Sequence, residues 1–370
     1  MEVIKSKYSQ QIKKTGFVLE YQVTSMLRTA GWTVISNKYY EDDFEESVRE
    51  IDLLAYKVSK KQGVDVYTTL LVSCKKSESN VWALLGRELN LSDPNVNWWP
   101  FHAWSNSKVI DFQLKQSAIG KKYHEDLIVG GIKDALSMPK CEVFAFQEMN
   151  RESGAPQNDK NIFNSVISLI KAQAYEMGSL SSRKKRLSVY QFNLLSIIDS
   201  DLIRLTIGDD EIKEELISSE HYISRYIIKK KESFSRVRFI TFNSLKESLP
   251  EYNRQHQLNC DWFDELINDY YKAPLKDSEK TKILLDEFRN TVYLDLLIAT
   301  KKIWGSHLEK SDISLGWDPM LKCPRVELAS SDVVIQELNK NSNLKRLIES
   351  ALNQVYRYQG NFVFEEDIPF

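Results

Sequence analysis

The segments VREIDLLAYKV (Val48–Val58) and VYTTLLVSCK (Val66–Lys75) are rich in β-branched and apolar residues, and the polar stretch between them holds Lys60, Lys61 and Gly63. Two such runs with a short polar connection predict a β-hairpin. Side chains alternate between faces along a strand, so Ser73 and Lys75 share one face while Val72 and Cys74 share the other. Asp52 interrupts the apolar run Ile51, Leu53, Leu54, Ala55, and hairpin pairing brings it close to Ser73 and Lys75. A carboxylate and an ammonium among apolar strand residues cost on the order of several kcal/mol to bury unless they are paired, hydrated or metal-bound. On spacing alone, a structural Asp52–Lys75 ion pair and a functional site both remain open.

Before the hairpin, Gln11–Ala30 reads as a helix closed by Gly31, Trp32–Ile35 as a short strand and Glu41–Glu46 as an acidic loop. After it, Asn80–Asn90 and Asn161–Met177 read as helices, and Cys141–Phe146, Leu187–Ile207 and Val237–Phe242 as strands. This is an α/β order. Trp262–Tyr271, Glu279–Trp304 and Val333–Tyr358 show helical periodicity, which predicts one domain over residues 1–250 and a mostly helical second one over 251–370. Two of the expected helices carry an inward acid. Glu20 shares an arc with Phe17, Tyr21, Val23 and Leu27, and Glu88 shares a face with Val81, Leu84 and Leu85. Clustered carboxylates repel one another unless a cation neutralises them, and a hard divalent ion suits oxygen donors.

Composition sets the outer bounds. The chain has 370 residues with 42% hydrophobic and 28% charged side chains, and its net charge of -2 gives no argument from bulk charge for nucleic acid or membrane. Its four cysteines are far apart with no CxxC, which speaks against a zinc ribbon or a disulfide framework and for a reducing cytoplasm. No GxxxxGK[ST], GxGxxG or HExxH occurs, and no apolar run approaches a membrane span or a leader.

The stretches GFVLEYQVTSMLRTAGW (Gly16–Trp32), REIDLLAY (Arg49–Tyr56) and LLVSCKKS (Leu70–Ser77) resemble the PD-(D/E)xK restriction-endonuclease-like superfamily, especially its Mrr-like branch. The resemblance covers about residues 12–90, with the element order to about 245 compatible. It implies an α/β restriction-endonuclease-like core, a mixed central sheet flanked by helices. Glu20 matches the helix glutamate, Asp52 the metal-binding aspartate and Lys75 the lysine, while the proline usually preceding the aspartate is absent. Ser73 stands where the family has a second acid. Some type II enzymes show SxK followed by a glutamate from the next helix. Here Ser73-Cys74-Lys75 is followed by twelve residues and then Glu88, which makes Glu88 the candidate for a migrated acid.

The resemblance implies Mg²⁺- or Mn²⁺-dependent hydrolysis of DNA phosphodiesters, in restriction or phage defence, with 5′-phosphate products. Asp52, Glu88, Glu20 and the Cys74 carbonyl are the expected metal ligands. Lys75 is expected on the phosphate, and Ser73 belongs to the same catalytic set. The alternative is a scaffold that has lost catalysis and serves as a DNA-binding or protein-interaction subunit, which Ser73 favours. Local positive charge for DNA is expected from two runs, Arg183, Lys184, Lys185 and Arg186, and Lys229, Lys230 and Lys231 together with Arg225, Arg236 and Arg238. Trp98, Trp99 and Trp104 read as a core cluster before a base-stacking one, and the five histidines have no metal-ligand spacing. The C-terminal module is expected to self-associate or to bind a partner in a defence complex.

Overall fold

The computed structural model describes residues 7–42, 47–208, 211–228, 230–304 and 308–367. Lys229, His307 and most of the expected acidic loop lie outside the described residues. The chain is α/β with mixed sheets. Helix α1 (Lys7–Ile12) precedes α2 (Gly16–Thr29), so the single helix expected over Gln11–Ala30 is two. α2 buries Leu19, Val23 and Leu27, which recur every four residues, and Gly31 ends it at φ +82°. Phe17 and Tyr21 are exposed, so Glu20 sits at the margin of the buried stripe and not at its centre.

Strands β1 (Thr33–Asp42), β2 (Ser47–Lys61) and β3 (Val64–Lys76) form an antiparallel meander. Gln62 and Gly63 join β2 to β3 with φ of 44° and 83°, the two-residue turn whose twist matches that of the strands. Next comes β4 (Asn80–Arg87), a correction to the helix expected over Asn80–Asn90. β4 is a central strand, paired on both sides, with Trp82, Ala83 and Leu84 buried. A strand buried on both faces reads as a continuous apolar run, which periodicity cannot tell from a helix.

The chain continues through β5 (Ala103–Ser105), α3 (Lys108–Leu114), α4 (Ile119–Val129), β6 (Glu142–Asn150) and α5 (Lys160–Arg183) to β7 (Ser188–Asp199), which pairs in parallel with β3. β8 (Leu202–Ile207), β9 (Ile212–Ile217), β10 (Ser219–Ile228) and β11 (Lys231–Thr241) follow. The large sheet runs β1-β2-β3-β7-β11-β10, with β5 added to β7, and a second sheet runs β6-β4-β8-β9. α5 crosses the large sheet and packs Val166, Leu169 and Ile170 into a core with Leu54, Leu71, Leu194 and Phe239.

Contacts divide the chain into two compact units, Met1–Ser107 with Leu114–Phe263, and Lys108–Gln113 with Asp264–Phe370. α6 (Phe242–Tyr271) gives its residues up to Phe263 to the first. The second contains α7 (Ser278–Trp304), β12 (Ile313–Asp318), β13 (Cys323–Leu328), α8 (Asp332–Lys340), α9 (Ser342–Tyr356) and β14 (Val363–Glu366). Its three-stranded sheet, β12-β13-β14, went unseen in a region read as helical. Gly316 and Pro324 interrupt the propensity of two of the strands, and the third is four residues long. No helix among the described residues is long and apolar enough to cross a membrane.

Candidate active site at the end of the central hairpin

The hairpin register pairs Leu53 with Val72, and the next step toward the strand end places Asp52 beside Ser73. Oδ2 of Asp52 accepts hydrogen bonds from the Cys74 backbone N–H at 2.6 Å, the Ser73 hydroxyl at 3.3 Å and Lys75 Nζ at 3.5 Å. The Lys75 and Asp52 side chains keep 30% and 20% of their surface. This is a loose pair open to solvent, a geometry that suits an accessible site better than a buried structural bridge. Ser73 is buried, and its register partner Ser196 shares a 2.7 Å hydrogen bond with Ser165 of α5. Three small residues thus line the crossing of α5 over the sheet, and a carboxylate at position 73 would enter that contact.

Glu20 on α2 belongs to the same electrostatic neighbourhood. Burial raises its carboxyl pKa, the Asp52 carboxylate raises it further, Lys75 opposes, and Glu50 adds a smaller upward push. The Cys74 thiol, almost fully buried, is driven well above its ordinary range by burial first and by Asp52 next, so its backbone rather than its sulfur is available to the site.

Asp52 and Lys75 open into a cleft of about 310 Å³ between β1–β3 and the N-terminal half of α5, lined also by Tyr40, Arg49, Glu50, Asn164, Ser168 and Lys171. Tyr40 was not singled out from the sequence. Its hydroxyl is buried without a hydrogen-bond partner, and burial pushes its pKa up to about 12, with Arg49 opposing. It is therefore a neutral O–H donor across the physiological range. Arg49 and Lys171 both hold the buried Asp42 carboxylate at 2.7 Å, which fixes two cations at the cleft wall. Nothing in the local sequence of Tyr40 marks this role, because it depends on α5 arriving from more than a hundred residues later.

Glu88 is not brought to Asp52. It is exposed, beyond the end of β4, and its neighbour Arg87 lines a cleft with Ile223 and Arg225 of β10. β10 lies four strands from β2 in the large sheet, about 19 Å at the usual strand spacing. With the helix gone, the inward face assigned to Glu88 goes with it. Among the described residues no group of three or more His, Cys, Asp and Glu is placed to hold a metal ion.

The basic runs lie at the other end of the sheet. Lys75 pairs with Ile198, whereas Arg183–Arg186 precede Ser188, the first residue of β7. Ten strand residues separate those levels, about 33 Å. Lys230 and Lys231 sit at the same far end, because β11 runs parallel to β7 with Val237 beside Leu194. Arg183 is paired with Glu176 and Lys184 lies over Tyr67, while Lys185 and Arg186 are exposed. Arg225 pairs with Glu232, and Arg236 and Arg238 point into the protein, bonded to carbonyls and hydroxyls. Trp98 is buried, Trp99 carries Lys121 and Trp104 meets Tyr190 edge-on. His102, His124 and His221 each bond a backbone carbonyl, and His256 bonds Ser59 and Thr68. Compared with protein-family models, with curated proteins and with solved structures, the chain matches none.

Proposed function

We propose that this protein is a Mg²⁺- or Mn²⁺-dependent DNA endonuclease, with Asp52, Lys75 and Glu20 at its active site. The observation that carries the reading is the convergence of three donors on one partly exposed aspartate, with a second carboxylate of raised pKa beside it, in an open cleft. The order α2-β1-β2-β3, followed after β4, β5, α3, α4 and β6 by the helix α5 and the parallel strand β7, is compatible with the restriction-endonuclease-like core that the sequence resembles.

Two mutually repelling carboxylates suit a hard ion that keeps most of its own water, since Mg²⁺ is commonly held by one or two carboxylates. Glu20 and Asp52 would hold it, with the Cys74 carbonyl as a further oxygen. Bound there, the ion supplies charge for the phosphoryl oxygen and a water of lowered pKa. Lys75 places a compact positive charge where a phosphate oxygen develops charge. Tyr40 can donate its orphaned O–H to a non-bridging oxygen, and Arg49 and Lys171 hold the strand in the cleft. The Ser73 hydroxyl and the Cys74 N–H fix the rotamer of Asp52.

The test is cleavage of plasmid and linear DNA with Mg²⁺ or Mn²⁺. Chelation, Asp52→Ala and Lys75→Ala should each abolish activity while the circular dichroism spectrum is kept; full activity in either variant defeats the assignment. A second reading, a nuclease-like scaffold without catalysis, is favoured by the neutral Ser73 and by the absence of Glu88 from the cleft. Calorimetric titration with Mn²⁺ separates the two, because the scaffold should show no Asp52-dependent heat.

A further inference from the structure

Under the C-terminal turns of α5 lies a second cleft, of about 320 Å³, within the ~300–1,000 Å³ of small-ligand pockets. Its floor is aromatic. Tyr67 and Tyr190 stack with centroids 4.1 Å apart, and Tyr56 leans on Tyr67 at 5.8 Å. Its rim is cationic, formed by Lys38, Arg183 and Lys184, with Lys184 Nζ 3.2 Å from the Tyr67 hydroxyl and 4.4 Å from its ring centre. Glu176 is already bound to Lys38 and Arg183, at 2.6 and 2.7 Å. In the wall, the buried Thr69 hydroxyl has no hydrogen-bond partner, and a buried polar group without a partner calls for one from outside the chain.

The two clefts share α5. Ile167 lines the first and Leu180 the second, and thirteen helical residues separate them by about 20 Å. Beyond the second, Lys185 and Arg186 are exposed.

We propose that the second cleft binds an unpaired nucleotide of the DNA strand, a few nucleotides from the bond to be cut. The base stacks on Tyr56, the ring of the three that is tilted and not stacked on a neighbour, and meets the Thr69 hydroxyl, and the adjoining phosphate sits on Arg183 and Lys184. Aromatic side chains accept any base by stacking, and guanidinium and ammonium groups bind phosphate. A paired base is hidden in the duplex and reaches a cleft of this size only when unpaired or flipped. The substrate class is thus DNA with single-stranded character. The identity of the ligand as DNA rests on the hydrolase reading; the site itself rests on its own residues.

The test measures binding of a short fluorescein-labelled oligothymidylate and of a duplex of equal length, without divalent ions and at one salt concentration. The single strand should bind about tenfold more tightly than the duplex, and Tyr56→Ala and Lys184→Gln should each weaken it about tenfold. Thr69→Val should cost less and leave the melting temperature in place. Equal binding of duplex and single strand, or Lys184→Gln binding like the wild type, overturns the proposal. Should Tyr56→Ala fail to fold, the change at the half-buried rim, Lys184→Gln, still decides. Cleavage that depends on Asp52 but strand binding indifferent to Lys184 sinks this inference alone. Lys184-dependent strand binding with no cleavage under any divalent ion sinks the hydrolase reading and keeps the cleft.

Discussion

A single carboxylate oxygen, Oδ2 of Asp52, takes hydrogen bonds from the Ser73 hydroxyl, the Cys74 N–H and the Lys75 ammonium; the approach of Ser73 and Lys75 was legible because strand pleating fixes which residues face one another, whereas the backbone donor was not. Glu20 makes the separable prediction. Burial and Asp52 raise its folded pKa above the ordinary glutamate value. As pH climbs through that window the unfolded chain gives up its proton first, so stability falls. The contribution is intact below the ordinary value and lost once pH passes the raised one. Glu20→Gln should therefore raise the melting temperature at neutral pH, leave it unchanged near pH 3, and still cut cleavage sharply. Melting curves at the two pH values check this, and a variant less stable at neutral pH would contradict the assigned burial. Ser73 makes the complementary case. Ser73→Ala should keep most activity, whereas Ser73→Glu drives a carboxylate into the contact among Ser73, Ser165 and Ser196. It should cost about 2–3 kcal/mol by urea denaturation.

Elements were legible where one face is buried and one is wet. β7, buried on both faces, was read only within the longer stretch Leu187–Ile207 that divides into β7 and β8, but α2 and α5 have that character, and the sequence reading locates the bulk of both and of the hairpin β2–β3. It failed at β4, where Val81, Leu84, Leu85 and Glu88 mimic a helical face, because β4 pairs with β6 on one side and β8 on the other and no solvent face marks its period. The neighbouring strands that impose this are distant in sequence, and β9 and β10 were not seen at all. Gly86 gives the element its own test. The register slips between Leu85 and Gly86, and a Cβ at 86 would collide with Sγ of Cys141, the residue that leads into β6. Gly86→Ala should cost about 1–3 kcal/mol by overpacking, and Cys141→Ala in the same chain should recover part of it. If the two changes merely add, the two strands do not meet there as described.

At the scale of the whole chain, the shift from mixed to mainly helical composition marks a second unit, but composition could not place its edge inside α6. Gln255, Asn259, Trp262 and Phe263 follow residue 253 and are bonded or packed within the first unit. Gln255 and Asn259 bond the Tyr123 hydroxyl or accept from it, and Asn259 bonds Thr68. Trp262 donates to Asp126 and packs on Tyr123 and Phe101. A chain ended at 253 loses all of these, and removal of one buried Trp or Phe alone costs about 3–5 kcal/mol, close to the whole stability of a domain. It should not fold. A chain ended at Tyr271 keeps them and should retain the cooperative unfolding, the cleft beside Asp52 and, on the proposed function, cleavage. Val109 and Phe112, in the segment 108–113 that belongs to the second unit's core, would be bared by that ending. Val109→Asn with Phe112→Asn in the shortened chain should cure any aggregation without lowering its urea midpoint. Circular dichroism and Asp52-dependent cleavage of the two truncations decide the matter: a folded, active chain ending at 253 would move the boundary of the first unit back to the start of α6.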